Sequence, residues 1–281
     1  MNELTHIDTI IARYDAIFCD VWGVVHNGVH AFEPALQVLY KIRQMGKSVI
    51  LLTNSPRPRE DVIIQLQNMN VHSDYYDALI TSGDVTRDLI RVAPRKVFFI
   101  GQQRDLNLFE GLDCELVEEC EASVVVCSGF LEELDEKPSA YEDMFRRLRA
   151  RNLPFICANP DVIVHHGNQE FWCAGALARL YQQLGGEVRI AGKPHAPIYE
   201  CAFETLKKIR GTVENSQVLA IGDGLLTDVK GAVHFGLDVL YIMGGIHRYN
   251  YMQNGVVDKQ ALHSFIKRHG YKPQAVMWAL Q

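Results

Sequence analysis

The sequence predicts an α/β protein built on a parallel sheet, and three observations predict it. Short apolar runs of strand length alternate with segments of helical periodicity. Several of those runs are apolar throughout, as strands covered on both faces are. Polar residues gather at their carboxyl ends, where the ligand crevice of a parallel sheet opens.

The first run, Ala16 to Asp20, ends on a carboxylate and is followed by Val21-Trp22-Gly23. Asp at such a place is either a turn former or helix cap, or a reacting group at the mouth of the crevice. A helix is predicted to start on Pro34, to carry Ala35–Arg43 and to stop at Gly46. The run Ser48–Leu52 ends on Thr53-Asn54-Ser55, residues 58–70 read as a helix, and Ala78–Ile80 is a short strand ending on Thr81-Ser82-Gly83. Strand, helix, strand, helix, strand is the order of a right-handed parallel unit. From about residue 84 a new α/β series begins, with runs at 96–101, 123–127 and 154–158 and a helix over 141–151, and it reads as a domain inserted into the first. The last third resumes the pattern of the first, with 217–221 ending on Gly222-Asp223-Gly224-Leu225-Leu226-Thr227-Asp228 and 237–243 ending on Gly244-Gly245.

The 281 residues, 48% hydrophobic and 22% charged, suffice for one large or two moderate domains. A net charge of −6 offers no basic surplus to a nucleic-acid backbone. No apolar run is long enough to span a membrane, and the first residues lack the basic-then-apolar form of a secretory signal, so a cytosolic protein is expected. Seven cysteines without a C-x-x-C, three of them (Cys19, Cys127, Cys157) inside apolar runs, read as buried reduced thiols, with Cys114 and Cys120 the more exposed.

Asp20, Thr53, Lys193, Asp223 and Asp228 then form a chemically coherent set. Asp20 with Asp223 can hold a hard divalent cation through oxygen, and Mg²⁺ takes few carboxylates together with waters and a substrate phosphate. A lysine and a hydroxyl can bind the remaining phosphate oxygens while the aspartate attacks phosphorus.

These residues resemble the four motifs of the haloacid dehalogenase superfamily: Asp20-Val21-Trp22-Gly23-Val24, Thr53-Asn54-Ser55, Gly192-Lys193-Pro194, and Gly222-Asp223 through Asp228. The third and fourth are most similar to the NagD-type and 4-nitrophenylphosphatase-like branch, which carries an α/β cap of the C2 type between the second and third motifs. The resemblance implies a Rossmann-like core of residues 1–83 and 188–281 and a cap of residues 84–187. It implies a Mg²⁺-dependent phosphohydrolase of a small phosphorylated metabolite such as a sugar phosphate or nucleotide, with Asp20 as the nucleophile that becomes an aspartyl-phosphate. Metal ligands would be Asp20, the carbonyl of Trp22 and Asp223, supported by Asp228. Thr53 would bind a phosphate oxygen, Lys193 would neutralise phosphate and nucleophile, and Asn54, Asn159 and Asp161 would face the substrate. A homodimer through the cap is common in that branch.

The sequence departs from the family pattern at Trp22, where the second Asp of D-x-D would protonate the leaving group. An indole N–H has no acid–base chemistry near neutral pH. Three readings stay open: a nearby group such as His26 supplies the proton, the substrate has a leaving group that needs little protonation, or the fold binds a phosphorylated ligand or partner without turnover. Of the remaining residues, His165-His166 read as loop histidines rather than metal ligands. Phe171, Trp172 and Tyr181 read as packing rather than a stacking platform, and Gly244-Gly245 as a turn or a close backbone approach.

Overall fold

A computed structural model describes residues 2–132, 136–166 and 169–281. Strands β1 Asn2–Glu3, β2 Ala16–Asp20, β3 Ser48–Thr53 and β4 Ala78–Thr81 open the chain, with helices α1 Asp8–Ile11, α2 Glu33–Gln44 and α3 Arg59–Asn68 between them. Next come α4 Ser82–Arg91, β5 Lys96–Ile100, β6 Glu115–Leu116, β7 Val124–Cys127, α5 Glu142–Ala150 and β8 Phe155–Cys157. The hairpin β9 Ile163–His166 and β10 Gln169–Trp172, α6 Ala174–Gln183 and β11 Val188–Ile190 follow. The last third holds α7 Ala196–Arg210, β12 Val218–Gly222, α8 Lys230–His234, β13 Asp238–Ile242, the short pair β14 Met252–Gln253 and β15 Val256–Val257, α9 Lys259–His269 and β16 Ala275–Met277.

The chain divides into two compact units, one of Met1–Thr53, Ile63–Ile80 and Tyr199–Gln281, the other of Asn54–Val62 and Thr81–Ile198. In the first, the sheet order is β1-β16-β13-β12-β2-β3-β4. β2 pairs in parallel with β12 on one side and β3 on the other, with Ile221 opposite Cys19 and Asp20 opposite Leu52. Setting the edge strand β1 aside, the six others run 3-2-1-4-5-6 when counted along the chain, the doubly wound order. The order reverses between β2 and β12, so the crevice of this sheet opens beside the carboxyl ends of those two strands. Every residue of β2, β3 and β12 is buried, which is why these strands read as unbroken apolar runs.

The second unit has its own parallel sheet, β11-β8-β7-β5-β6, with cores on both faces. One face is built on aromatics: Phe145 meets Tyr141, Phe155 and Tyr181 at centroid distances of 5.8, 5.6 and 5.4 Å. Tyr181 is packing, as its place in the sequence suggests, whereas Trp172 is substantially exposed. Cys19, Cys127 and Cys157 are fully buried thiols in no disulfide; Cys120 is exposed and Cys114 half-buried.

Local chemistry shifts one boundary. Thr81-Ser82-Gly83 is not a loop after β4: the Thr81 side chain caps α4 by accepting from the Asp84 N–H at 2.9 Å, and Ser82 and Gly83 are helical. A Cβ on Gly83 would lie 2.3 Å from the Pro56 carbonyl oxygen, so the helix needs glycine to approach that segment.

Candidate active site

In the first unit, Asp20 is the last residue of β2 and Asp223 follows the last residue of β12. Gly224 then begins a single π-helical turn, Leu225–Val229, in which the Gly224 carbonyl accepts from both Asp228 N–H and Val229 N–H. That wide turn carries Asp228 back toward the strand ends, and such turns often mark functional sites. Asp20, Asp223 and Asp228 are only 7, 6 and 5% exposed, and each offers a carboxylate oxygen within 4.8 Å of the others. Among the described residues this is the one group of three or more metal-capable His, Cys, Asp or Glu side chains.

Glycines make room for it. A Cβ on Gly23, whose φ is +88°, would sit 2.1 Å from Asp223 Oδ2, and one on Gly245 would sit 1.9 Å from the same atom. On the other side, a Cβ on Gly222 would meet the Asp228 Cγ at 2.2 Å. Backbone amides supply part of the compensation: Ile246 N–H donates to Asp223 Oδ2 at 2.7 Å and Gly224 N–H to Asp228 Oδ2 at 3.0 Å. Three carboxylates buried this close repel one another, and an all-oxygen donor set suits a hard cation such as Mg²⁺. The residues present therefore fit that ion.

Beside Asp20, the Trp22 ring meets His26 edge-on, with centroids 5.0 Å apart and planes at 69°. The His26 side chain is buried, its Nδ1 accepts the Gly28 N–H at 2.9 Å and its carbonyl accepts the Gly23 N–H at 2.8 Å. A neutral ring accepting at Nδ1 carries its proton on Nε2. His26 thus braces the turn that follows β2. Thr53 is the buried last residue of β3, the strand next to β2.

In the second unit, four other residues singled out from the sequence form one hydrogen-bonded group. Asn54 Oδ1 accepts the Lys193 N–H at 2.8 Å, while its Nδ2 donates to the Lys193 carbonyl at 3.2 Å and to Asp161 Oδ1 at 2.8 Å. Asp161 N–H in turn donates to Asn159 Oδ1 at 3.1 Å. Lys193 is buried, and a Cβ on the preceding Gly192 would lie 2.7 Å from Asn54 Oδ1. Asn54 therefore braces the backbone of Lys193 from both sides. His165 and His166 lie on β9, where His165 Nε2 is 3.6 Å from Glu170 of the facing strand.

Sequence reasoning left Gly244-Gly245 open between a turn and a close backbone approach, and the close approach is what Gly245 makes to Asp223; it missed Ile246. Two glycines in succession at a strand end were the available signal, since such a pair lets backbone approach another group closely.

Two family models match the chain, one described as haloacid dehalogenase-like hydrolase over residues 17–115 and one as HAD-hydrolase-like over residues 190–264. A solved hydrolase of the haloacid dehalogenase-like family from Brucella suis is 52% identical, covering 99% of this chain and 100% of its own, with a TM-score of 0.90. The chain belongs to the haloacid dehalogenase-like hydrolase family. This hydrolase also shares its fold with NagD from E. coli, at 21% identity, a TM-score of 0.67, and coverage of 95% of this chain and 96% of that one. An acid sugar phosphatase from Staphylococcus haemolyticus is 24% identical over 259 residues, 90% of this chain and 93% of its own length. No helix among the described residues is long and apolar enough to cross a membrane.

Proposed function

We propose that this hydrolase is a Mg²⁺-dependent phosphatase of small phosphorylated metabolites, working through a phosphoryl-enzyme at Asp20 and favouring leaving groups that need little protonation. The observation that carries the reading is the buried triad of Asp20, Asp223 and Asp228 at the point where the sheet order reverses. The relative named an acid sugar phosphatase makes sugar phosphates the class to set against better leaving groups.

Asp20 is the nucleophile: one carboxylate oxygen forms a bond to phosphorus as the bond to the leaving oxygen breaks, and water later cleaves the acyl phosphate to free inorganic phosphate. Asp20, the Trp22 carbonyl, Asp223 and Asp228 would hold Mg²⁺, whose charge offsets that of the phosphoryl oxygens. Thr53 donates its hydroxyl to a phosphate oxygen, and Lys193 neutralises phosphate and nucleophile. Asn54 keeps Lys193 in place, with Asn159 and Asp161 toward the substrate. Residues 84–187 act as the cap that selects the substrate, on a core of residues 1–83 and 188–281. The protein works in the cytosol, and a homodimer through the cap accords with its branch of the family.

Trp22 sets the leaving-group preference. A positioned general acid accelerates expulsion of a poor leaving group by about 10²–10⁴-fold, and the indole cannot serve as one. Aryl phosphates, acyl phosphates and anhydrides release stable anions and lose least.

A panel of aryl, acyl and sugar phosphates assayed with and without Mg²⁺ tests this, using wild type, Asp20→Asn and Trp22→Asp. Mg²⁺-dependent turnover of the good leaving groups is expected, abolished in Asp20→Asn, with sugar phosphates gaining about 10²–10⁴-fold in Trp22→Asp. Absence of Mg²⁺-dependent turnover with every compound, unchanged by Asp20→Asn, overturns the reading.

A further inference from the structure

The loop after β13 passes Asp223 at Gly245 and Ile246, and the buried tyrosines Tyr241, within β13, and Tyr251, at the far end of the loop, tie its two ends together. Tyr251 O–H donates to the Met243 carbonyl at 2.7 Å, and the Tyr241 and Tyr251 hydroxyl oxygens lie 2.9 Å apart. A phenol has one proton, so with that of Tyr251 committed to a carbonyl, the bond between the two is donated by Tyr241. Burial, reinforced by the neighbouring Tyr251 hydroxyl and, less, by the Asp223 and Asp228 carboxylates, pushes the Tyr241 hydroxyl well above its usual range, which keeps it a donor.

Met243 is where this loop starts, and its position is fixed twice more. Met243 N–H donates to the Met277 carbonyl at 2.7 Å and Gly244 N–H to the Trp278 carbonyl at 2.8 Å. The far end is held by Asp258 N–H on the Tyr251 carbonyl at 2.8 Å and by Phe265 of α9, whose ring packs on both Tyr251 and His247. Between these anchors lie Gly245, whose absent side chain lets Asp223 Oδ2 approach, and Ile246, whose N–H binds that oxygen. The bond from the Ile246 amide to Oδ2 fixes the orientation of the Asp223 carboxylate.

We propose that Tyr251 is a positioning residue for the metal site, setting through the Met243 carbonyl the loop whose Gly245 and Ile246 orient the Asp223 carboxylate. This rests on the metal-dependent reading above, and it adds residues that no motif of the family resemblance contained. Outer partners that orient a metal-binding carboxylate typically govern 10–100-fold in metal affinity, so a roughly equal loss is expected when they are removed.

Binding of Mn²⁺ to the full chain, followed by the loss of its free-ion electron paramagnetic resonance signal, is the direct test. Tyr251→Phe and Gly245→Ala should each weaken Mn²⁺ by about 10–100-fold. The Mg²⁺ concentration for half-maximal turnover should rise by the same factor, while in Tyr251→Phe the KM for the phosphate substrate at saturating Mg²⁺ stays unchanged. A Tyr251→Phe protein that unfolds cooperatively like wild type and binds Mn²⁺ within about twofold of it overturns the inference alone. Should that variant fail to fold, Gly245→Ala decides on the same criterion. A wild type that binds no Mn²⁺ overturns the proposed function, and the positioning role falls with it.

Discussion

Adding Mg²⁺ should raise the unfolding temperature of the unit that carries the acidic triad, and the size of the effect follows from the geometry. Carboxylate oxygens within 4.8 Å of one another repel by about 3.5 kcal/mol or more per pair at an effective dielectric constant near 20. This repulsion stands in the metal-free folded state and is absent from the unfolded chain. A cation that binds only the folded state contributes about 2.7 kcal/mol when present at a hundredfold excess over its dissociation constant. For a unit of this size that corresponds to a rise of roughly 5–10 °C. The assay is thermal unfolding by circular dichroism in EDTA against Mg²⁺, with NaCl at matched ionic strength to remove general screening. Asp223→Asn supplies the decisive comparison. It relieves two of the repulsive pairs, so in EDTA it should melt no lower than wild type, and it should lose the Mg²⁺ shift. A wild type whose melting is indifferent to Mg²⁺, or an Asp223→Asn protein that keeps the full shift, would refute the electrostatic account of the triad.

Three further outcomes are expected. Asn54→Ala removes the amide that braces Lys193 and leaves its N–H and the Asp161 carboxylate short of a partner. A loss of about 1.4 kcal/mol in phosphate binding would raise KM tenfold, and steady-state kinetics with an unchanged KM would deny that role. Phe145→Ala, at the centre of the aromatic cluster of the second unit, should cost about 3–5 kcal/mol in denaturant titrations, because the void is walled by Tyr141, Phe155 and Tyr181. Burial pushes the Cys157 thiol up to about 12 and raises Cys127 as well, while the unfolded chain ionises near its ordinary value of about 9. The unfolded state thus loses protons first as pH rises, so this contribution is intact below about pH 9 and fades between about 9 and 12. Cys157→Ala should flatten that alkaline decline in the denaturation midpoint, and in native protein at pH 8 a thiol reagent should label Cys120 long before Cys127 or Cys157.

The acidic triad was legible because a parallel sheet buries both faces of its inner strands and leaves chemistry only to their ends. Asp20 and Asp223 each follow an apolar run, and the register of β2 with β12 brings those ends together. Asp228 was legible as part of the same motif, though the π-helical turn that delivers it was not, since nothing in Leu225–Val229 distinguishes a π-turn from an α-turn by composition. The hairpin β9–β10, α6 and β11 escaped notice for another reason. β9 and β10 carry His165, His166, Gln169 and Glu170 on half-exposed strands, and three-residue β11 includes Arg189, so the period-2 signal is weak. The edge pairing of Asn2–Glu3 with β16 joins opposite ends of the chain and has no local signature at all.

The same packing explains how Trp22 can stand where the family pattern has an acid. The cradle of the triad is made by Gly23, Gly222 and Gly245 and by the amides of Gly224 and Ile246. That side chain lies against His26, whose ring and carbonyl are occupied in holding the turn through Gly28 and Gly23. Under the proposed function, cation binding and leaving-group protonation are therefore separable: the first would depend on backbone approach to three carboxylates, the second on the side chain of residue 22, which packs against His26. Divalent affinity should accordingly respond to Gly245→Ala far more than to Trp22→Phe, whereas preference among leaving groups should respond to Trp22→Asp and remain unaltered by Gly245→Ala once Mg²⁺ is saturating.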